Sequence, residues 1–138
     1  MKKQIKKTPR GIRNNNPGNI RYNGIAWQGL ANPPSDGEFC IFREAHFGIR
    51  ALAKLLRNYN KYYGLRTISG IIRRYAPDTE NNTDAYIASV SRSMAVDAHF
   101  QMDLDNTDTM LELVKAIIKH ENGRCEYKDD EITKAITC

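Results

Sequence analysis

Thr107-Asp108-Thr109-Met110-Leu111-Glu112-Leu113-Val114-Lys115-Ala116-Ile117-Ile118-Lys119-His120-Glu121-Asn122-Gly123 is the stretch that decides the fold. Met110, Leu113, Val114, Ile117 and Ile118 recur at helical spacing and form one apolar stripe. Asn122-Gly123 supplies the stop. Glu121 continues the apolar series, so its carboxylate leaves the helix on the buried side. Desolvation disfavours the charged form there, and so does the negative end of the helix dipole. A general acid working near neutral pH needs that kind of environment.

Working outward, four further helices are expected. A long amphipathic one runs from about residue 46 to 63, with Phe47, Leu52, Leu55, Leu56, Tyr59, Tyr62 and Tyr63 facing inward and Gly64 closing it. A short one from about 68 to 76 is capped by Thr67 and ended by Pro77. Another opens at Asn82 or Thr83 and runs to Met94, with Tyr86, Ile87 and Val90 inward. The last starts near Asp129 or Asp130 and holds Ile132 and Ile136. Residues 11–42 read differently, because Asn14-Asn15-Asn16-Pro17-Gly18-Asn19 and Asn32-Pro33-Pro34-Ser35-Asp36-Gly37 are turn signals. Short strand-like pieces, Ile20-Arg21-Tyr22 and Phe39-Cys40-Ile41-Phe42, lie between them. The expected fold is α+β and mainly α, about five helices around a small Asn/Gly-rich β-lobe. Residues 1–9 read as a flexible basic arm and residues 10–138 as a single domain.

Composition narrows the function. A chain of 138 residues suits one domain with a real core. No apolar run approaches the roughly 20 residues needed to span a bilayer, so no membrane insertion is expected. The charged N-terminus has no apolar region behind it, so the reading is synthesis in the cytoplasm without a signal peptide. The net charge of +5, with five basic residues in the first ten positions, suits an anionic partner. A specific nucleic-acid partner is not expected, since only the Lys-rich arm argues for one and no recognition motif accompanies it. Cys40, Cys125 and Cys138 lack metal-ligand spacing, and His120-Glu121 lacks the second His of a metalloprotease helix, so no metal or other cofactor is expected.

Carboxylate chemistry remains. Beside Glu121 stand Glu38, at the boundary of a turn and a strand, and Glu80, in the loop before the helix that Asn82 opens. Asn14, Asn15 and Asn19 offer amide donors and acceptors, and Trp27 and Tyr75 offer flat apolar faces. Sugars bind to that mixture, by stacking and by hydrogen bonds to hydroxyls.

The segments Arg10-Gly11-Ile12-Arg13-Asn14-Asn15-Asn16-Pro17-Gly18-Asn19, Trp27-Gln28-Gly29, Gly48-Ile49-Arg50-Ala51-Leu52, Arg74-Tyr75-Ala76-Pro77 and Ala116-Ile117-Ile118-Lys119-His120-Glu121-Asn122-Gly123 resemble a family of small phage and prophage proteins described as virion structural proteins. A more distant resemblance is to bacterial cell-wall glycosidases of the lysozyme-like superfamily, including flagellar glucosaminidases and soluble lytic transglycosylases. Those begin with a helix ending in Glu-Ser, followed by an Asn-rich turn, a Trp-x-Gly, an aromatic strand, a long helix and a Tyr-Ala. This chain has the later parts in order and carries its glutamate-ended helix at the back, with Asn122 where Ser is usual. It therefore looks like a circularly permuted lysozyme-like domain, a rearrangement that is cheap where termini lie close together.

The resemblance implies cleavage of peptidoglycan glycan strands by a muramidase, glucosaminidase or lytic transglycosylase. Glu121 is then the general acid, with Glu38 the preferred second carboxylate and Glu80 the reserve. Asn14, Asn15, Asn19, Trp27 and Tyr75 line the sugar path. Such a protein acts as a monomer at the cell wall, carried in a phage particle beside virion proteins or released by a holin or another non-secretory route. The alternative is a non-catalytic virion or wall-binding protein on the same fold.

Overall fold

Six helices and one two-stranded sheet form the regular structure in the computed structural model, which describes residues 7–138. Most of the basic arm expected over residues 1–9 lies outside the described residues. The chain orders α1 (Arg10–Arg13), β1 (Leu30–Ser35), β2 (Cys40–Phe42), α2 (Ala45–Tyr63), α3 (Ile68–Tyr75), α4 (Thr83–Met94), α5 (Thr107–Asn122) and α6 (Asp129–Ile136). This is a mainly helical α+β fold. The helix boundaries rest on local chemistry. Thr67 accepts a hydrogen bond from the Gly70 amide, Asn82 from Ala85 and Asn106 from Thr109, each satisfying an orphan donor of a first turn. Gly64 and Gly123 end α2 and α5 at φ 66° and 77°, where a Cβ is penalised.

The core is the set of apolar faces these helices share. From α5, Met110, Leu113, Val114, Ile117 and Ile118 are buried, each contributing about 2 kcal/mol of transfer free energy. They meet Leu52 and Leu56 of α2, Ile68, Ile71 and Ile72 of α3, Val90 of α4, and Ile132 and Ile136 of α6 in one cluster. α2 lies against α6, and α4 bridges α3 and α5. Tyr62 and Tyr63, expected inside, are 65% and 56% exposed. The last turn of α2 runs past the core, so its aromatic rings stay largely at the surface.

The small lobe departs most from expectation. The strand paired with β2 is Leu30–Ser35, antiparallel, while Ile20-Arg21-Tyr22 contributes only an isolated bridge from Arg21 to Phe39. α1, a single turn, was not anticipated. What organises this lobe is Asn16. Its side chain is fully buried, donates to the carbonyls of Ile20 and Cys40 at 3.0 Å each, and accepts from the Ile20 amide at 3.0 Å. One amide thus adds to the two backbone bonds, Tyr22 N–H to the Glu38 carbonyl and Cys40 N–H to the Ile20 carbonyl, that flank the bridge. Asn15 and Asn19 occupy positive φ, 51° and 52°, which Asn tolerates better than most residues. Gly48 of α2 lets this loop close on the helix: a Cβ there would sit 2.0 Å from the Asn15 carbonyl oxygen.

Candidate functional site

The end of α5 is bolted to the Asn-rich loop by the residue after Glu121. The Asn122 side chain donates to the Pro17 carbonyl at 2.7 Å and to the Ile118 carbonyl at 2.9 Å. Gly11 of α1 sits directly over it, since an added Cβ would come within 2.6 Å of Asn122 Oδ1. This packing delivers Asn19 to the Glu121 carboxylate, where its Nδ2 donates to Oε1 at 2.8 Å. From the other side the Tyr86 hydroxyl of α4 donates to Oε2, also at 2.8 Å. Tyr86 is almost wholly buried, and its ring stacks on His120 with centroids 3.7 Å apart. Burial, reinforced by Tyr75 and Glu121, pushes the Tyr86 hydroxyl far above its ordinary pKa, so it remains a neutral donor. Glu121 itself is partly exposed and borders a cleft.

That cleft has a volume of about 340 Å³, in the range of small-ligand sites. Asn19, Ile20, Arg21 and Trp27 form one wall, and Tyr59, Arg74, Tyr75 and Glu80 belong to the other elements lining it. The Tyr75 hydroxyl donates to the Gly18 carbonyl, locking the end of α3 to the Asn-rich loop. Desolvation keeps that phenol neutral. The site therefore combines one carboxyl in a fixed orientation, flat aromatic faces and a second carboxylate on Glu80. Each oxygen of Glu121 retains a lone pair beyond the hydrogen bond it accepts, so the carboxyl is able to take and return a proton without breaking its supports.

Of the residues expected here, Glu121, Glu80, Asn19, Trp27 and Tyr75 line the cleft, whereas Glu38, Asn14 and Asn15 do not. Asn14 donates to Asp36 Oδ2 at 2.9 Å, and Asn15 donates to the Phe42 carbonyl at 3.1 Å. Turn asparagines commonly satisfy nearby groups in this way. Of the two further carboxylates, Glu80 and not Glu38 lines the cleft. Glu38 is held by Arg10 at 2.7 Å and Arg21 at 3.1 Å on the outer side of the hairpin. Arg21 and then Arg10 keep its carboxyl below the usual range. Glu80 reaches the cleft and pairs with Arg21 at 3.2 Å.

Tyr86 is the core residue that the sequence leads one to expect, but sequence reasoning missed its bond to Glu121, and it missed Tyr59 and Arg74 as cleft residues. For Tyr86 a signal existed: a buried phenol requires a hydrogen-bond partner, and none was assigned to it. Among the described residues no cluster of three or more His, Cys, Asp or Glu is arranged to hold a metal, and the three cysteines are free thiols.

No family model matches the chain. A bacteriophage protein does, and strongly: 40% of residues are identical over 134 aligned positions, which cover 95% of this chain and 82% of the relative. That relative is Protein P5 of Pseudoalteromonas phage PM2, and the chain belongs to its family.

Proposed function

We propose that this protein cleaves the glycan strands of peptidoglycan on a circularly permuted lysozyme-like scaffold, with Glu121 as the general acid. The observation that carries the reading is the setting of Glu121. A helix-end carboxyl is oriented by two donors, Asn19 and Tyr86, at the border of a cleft lined by Trp27, Tyr59 and Tyr75. Protonation of the glycosidic oxygen by Glu121 expels the leaving sugar, and the resulting carboxylate then serves as a base. Glu80 is the second carboxylate of the cleft and supplies the charge that stabilises an oxocarbenium-like state or activates water. Its presence favours hydrolysis over the transglycosylase route, in which the sugar's own hydroxyl is the nucleophile. Membership of a phage protein family fits a wall enzyme carried in the virion or released at lysis.

Incubation with purified peptidoglycan and mass spectrometry of the released fragments tests this. Reducing muramic or glucosamine ends are expected, with the type of end identifying the bond. Anhydro ends would transfer the chemistry to the transglycosylase branch. No release from a folded protein would overturn the enzymatic reading.

A non-catalytic glycan-binding role in the virion is the second reading. It is favoured by the fact that both oxygens of Glu121 already accept hydrogen bonds inside the protein, as a purely structural carboxylate would. It predicts binding to the same polymer without fragments.

A further inference from the structure

Four charged side chains line the cleft: Arg21, Arg74, Glu80 and Glu121. Three of them are engaged. Arg21 pairs with Glu38 and Glu80, and Glu121 accepts from Asn19 and Tyr86. Among the described residues Arg74 alone of the four has neither an ion pair nor a hydrogen-bond partner. It is nonetheless held in place. Its guanidinium carbon lies 3.6 Å from the centroid of the Tyr63 ring and 5.5 Å from that of Tyr59. A guanidinium supported through its flat face keeps its N–H edges free, and those edges match a carboxylate in bidentate fashion.

The rest of the cleft explains why such a cation belongs there. Arg21 is already paired with Glu38 and Glu80, so a ligand carrying a carboxylate needs another cation in the cleft that is not already neutralised. In a peptidoglycan strand every second sugar, the muramyl residue, bears a 3-O-lactyl group that ends in a carboxylate or continues into an acidic peptide. A polymer of N-acetylglucosamine alone bears none.

We propose that Arg74, clamped by Tyr59 and Tyr63, reads the carboxylate on the 3-O substituent of a muramyl residue and so selects peptidoglycan strands over uncharged N-acetylglucosamine polymers. The inference rests on the glycan-cleaving reading of the same cleft. It makes Arg74 a specificity-determining residue and assigns a role to the exposed Tyr63, which the packing of α2 leaves without one.

Binding calorimetry on the full chain carrying Glu121→Gln, which blocks turnover, tests it with three ligands. These are chitotetraose, a peptide-free tetrasaccharide of alternating N-acetylglucosamine and N-acetylmuramic acid, and the same tetrasaccharide bearing stem peptides. Adding Arg74→Met is expected to weaken a carboxylate-bearing ligand by about 10-fold, with a gap that narrows as salt rises, while chitotetraose changes by less than about 2-fold. Arg74→Lys, which keeps the charge and loses the fork, is expected to fall between. Loss on the peptide-free ligand identifies the lactyl carboxylate as the contact. Loss confined to the peptide-bearing ligand identifies the stem peptide.

An equal loss on all three ligands, or no loss on any, overturns the role of Arg74 and leaves the glycan reading standing. Failure of all three to bind when Arg74 is intact, in protein with an unchanged melting curve, overturns the glycan reading and this inference together.

Discussion

Replacing Glu121 with Gln separates chemistry from architecture at one position. The amide is nearly isosteric, so Oε1 continues to accept from Asn19, and the new amino group is able to donate to the Tyr86 hydroxyl after that hydroxyl rotates. What changes is charge. A hydrogen bond to a charged group contributes about 1.5–3 kcal/mol and a neutral one about 0.5–1.5, so two bonds together lose about 2 kcal/mol. Against this, removing a negative charge from the C-terminal end of α5 returns about 0.3–1 kcal/mol. The net cost is about 1–1.5 kcal/mol, which lowers Tm by about 4 °C for a domain of this size. Activity faces a different scale, because an amide has no proton to give. Loss of a general acid costs about 100-fold or more. Thermal denaturation followed by circular dichroism, alongside fragment release from peptidoglycan, measures both. Retention of activity within about 10-fold would remove Glu121 from the chemistry. A fall in Tm well beyond about 10 °C would show that the carboxylate is primarily a structural tie.

The other carboxylates part company under the same treatment: Glu80→Gln is expected to reduce fragment release by about 10-fold or more, while Glu38→Gln leaves it within about 3-fold, as steady-state assays would show. Asn16→Ala removes the side-chain partner of the Cys40 carbonyl and of the Ile20 amide, at about 1–3 kcal/mol each, while the Ile20 carbonyl keeps the Cys40 amide, so urea denaturation is expected to show a loss of about 2–4 kcal/mol. Acid sensitivity traces to the hairpin, where Arg10, aided by the Phe39 amide and Asn14, holds the Asp36 carboxyl far below the usual range. Its folded-state value is lower than its unfolded one, so its stabilisation is present above about pH 4 and is lost as pH falls toward the folded value. Denaturation at stepped pH should therefore show the stability difference between the native chain and Asp36→Asn shrinking below about pH 4; a difference that is constant with pH would refute the assignment.

The helices were readable because their signals are local. Thr67, Asn82 and Asn106 sit three residues before the amides they cap, and Glu121 follows Ile117 and Ile118 at the spacing of one turn. β1 was not readable, because Leu-Ala-Asn-Pro-Pro-Ser carries two prolines that suggest a turn and lacks the alternation of a half-buried strand. The site divides along the same line. Glu121, Trp27 and Tyr75 are conspicuous as residue types in their own segments. The partnership of Tyr86 with Glu121 spans 35 residues, and that of Arg21 with Glu80 spans the sheet, α2, α3 and a loop, so neither leaves a mark in any window. The absence of Glu38 from the cleft lining left no mark for the same reason: Arg10 and Arg21, which pair with it, are distant in the chain and carry no pattern that links them to it.

The bonds from Asn19 to Glu121 and from Asn122 to Pro17 join positions 102 and 105 apart in sequence. Closing a loop of that length costs about 4 kcal/mol of chain entropy before any contact repays it. α3 packs on α4 and α4 on α5 at shorter range, so these are able to condense first, whereas α2 waits for α6, and the carboxyl meets its two donors only when both ends of the domain have docked. Long-range closure of this kind slows folding and is reversed early in partial opening. A chain not yet extended through α5 has no α5 terminus to offer, so the competence of the cleft waits on synthesis of that helix. Hydrogen exchange should find the amides of residues 14–19 opening at lower free energy than those at the centre of α5, making the Asn-rich loop the part of the molecule that sets how long an assembled site survives.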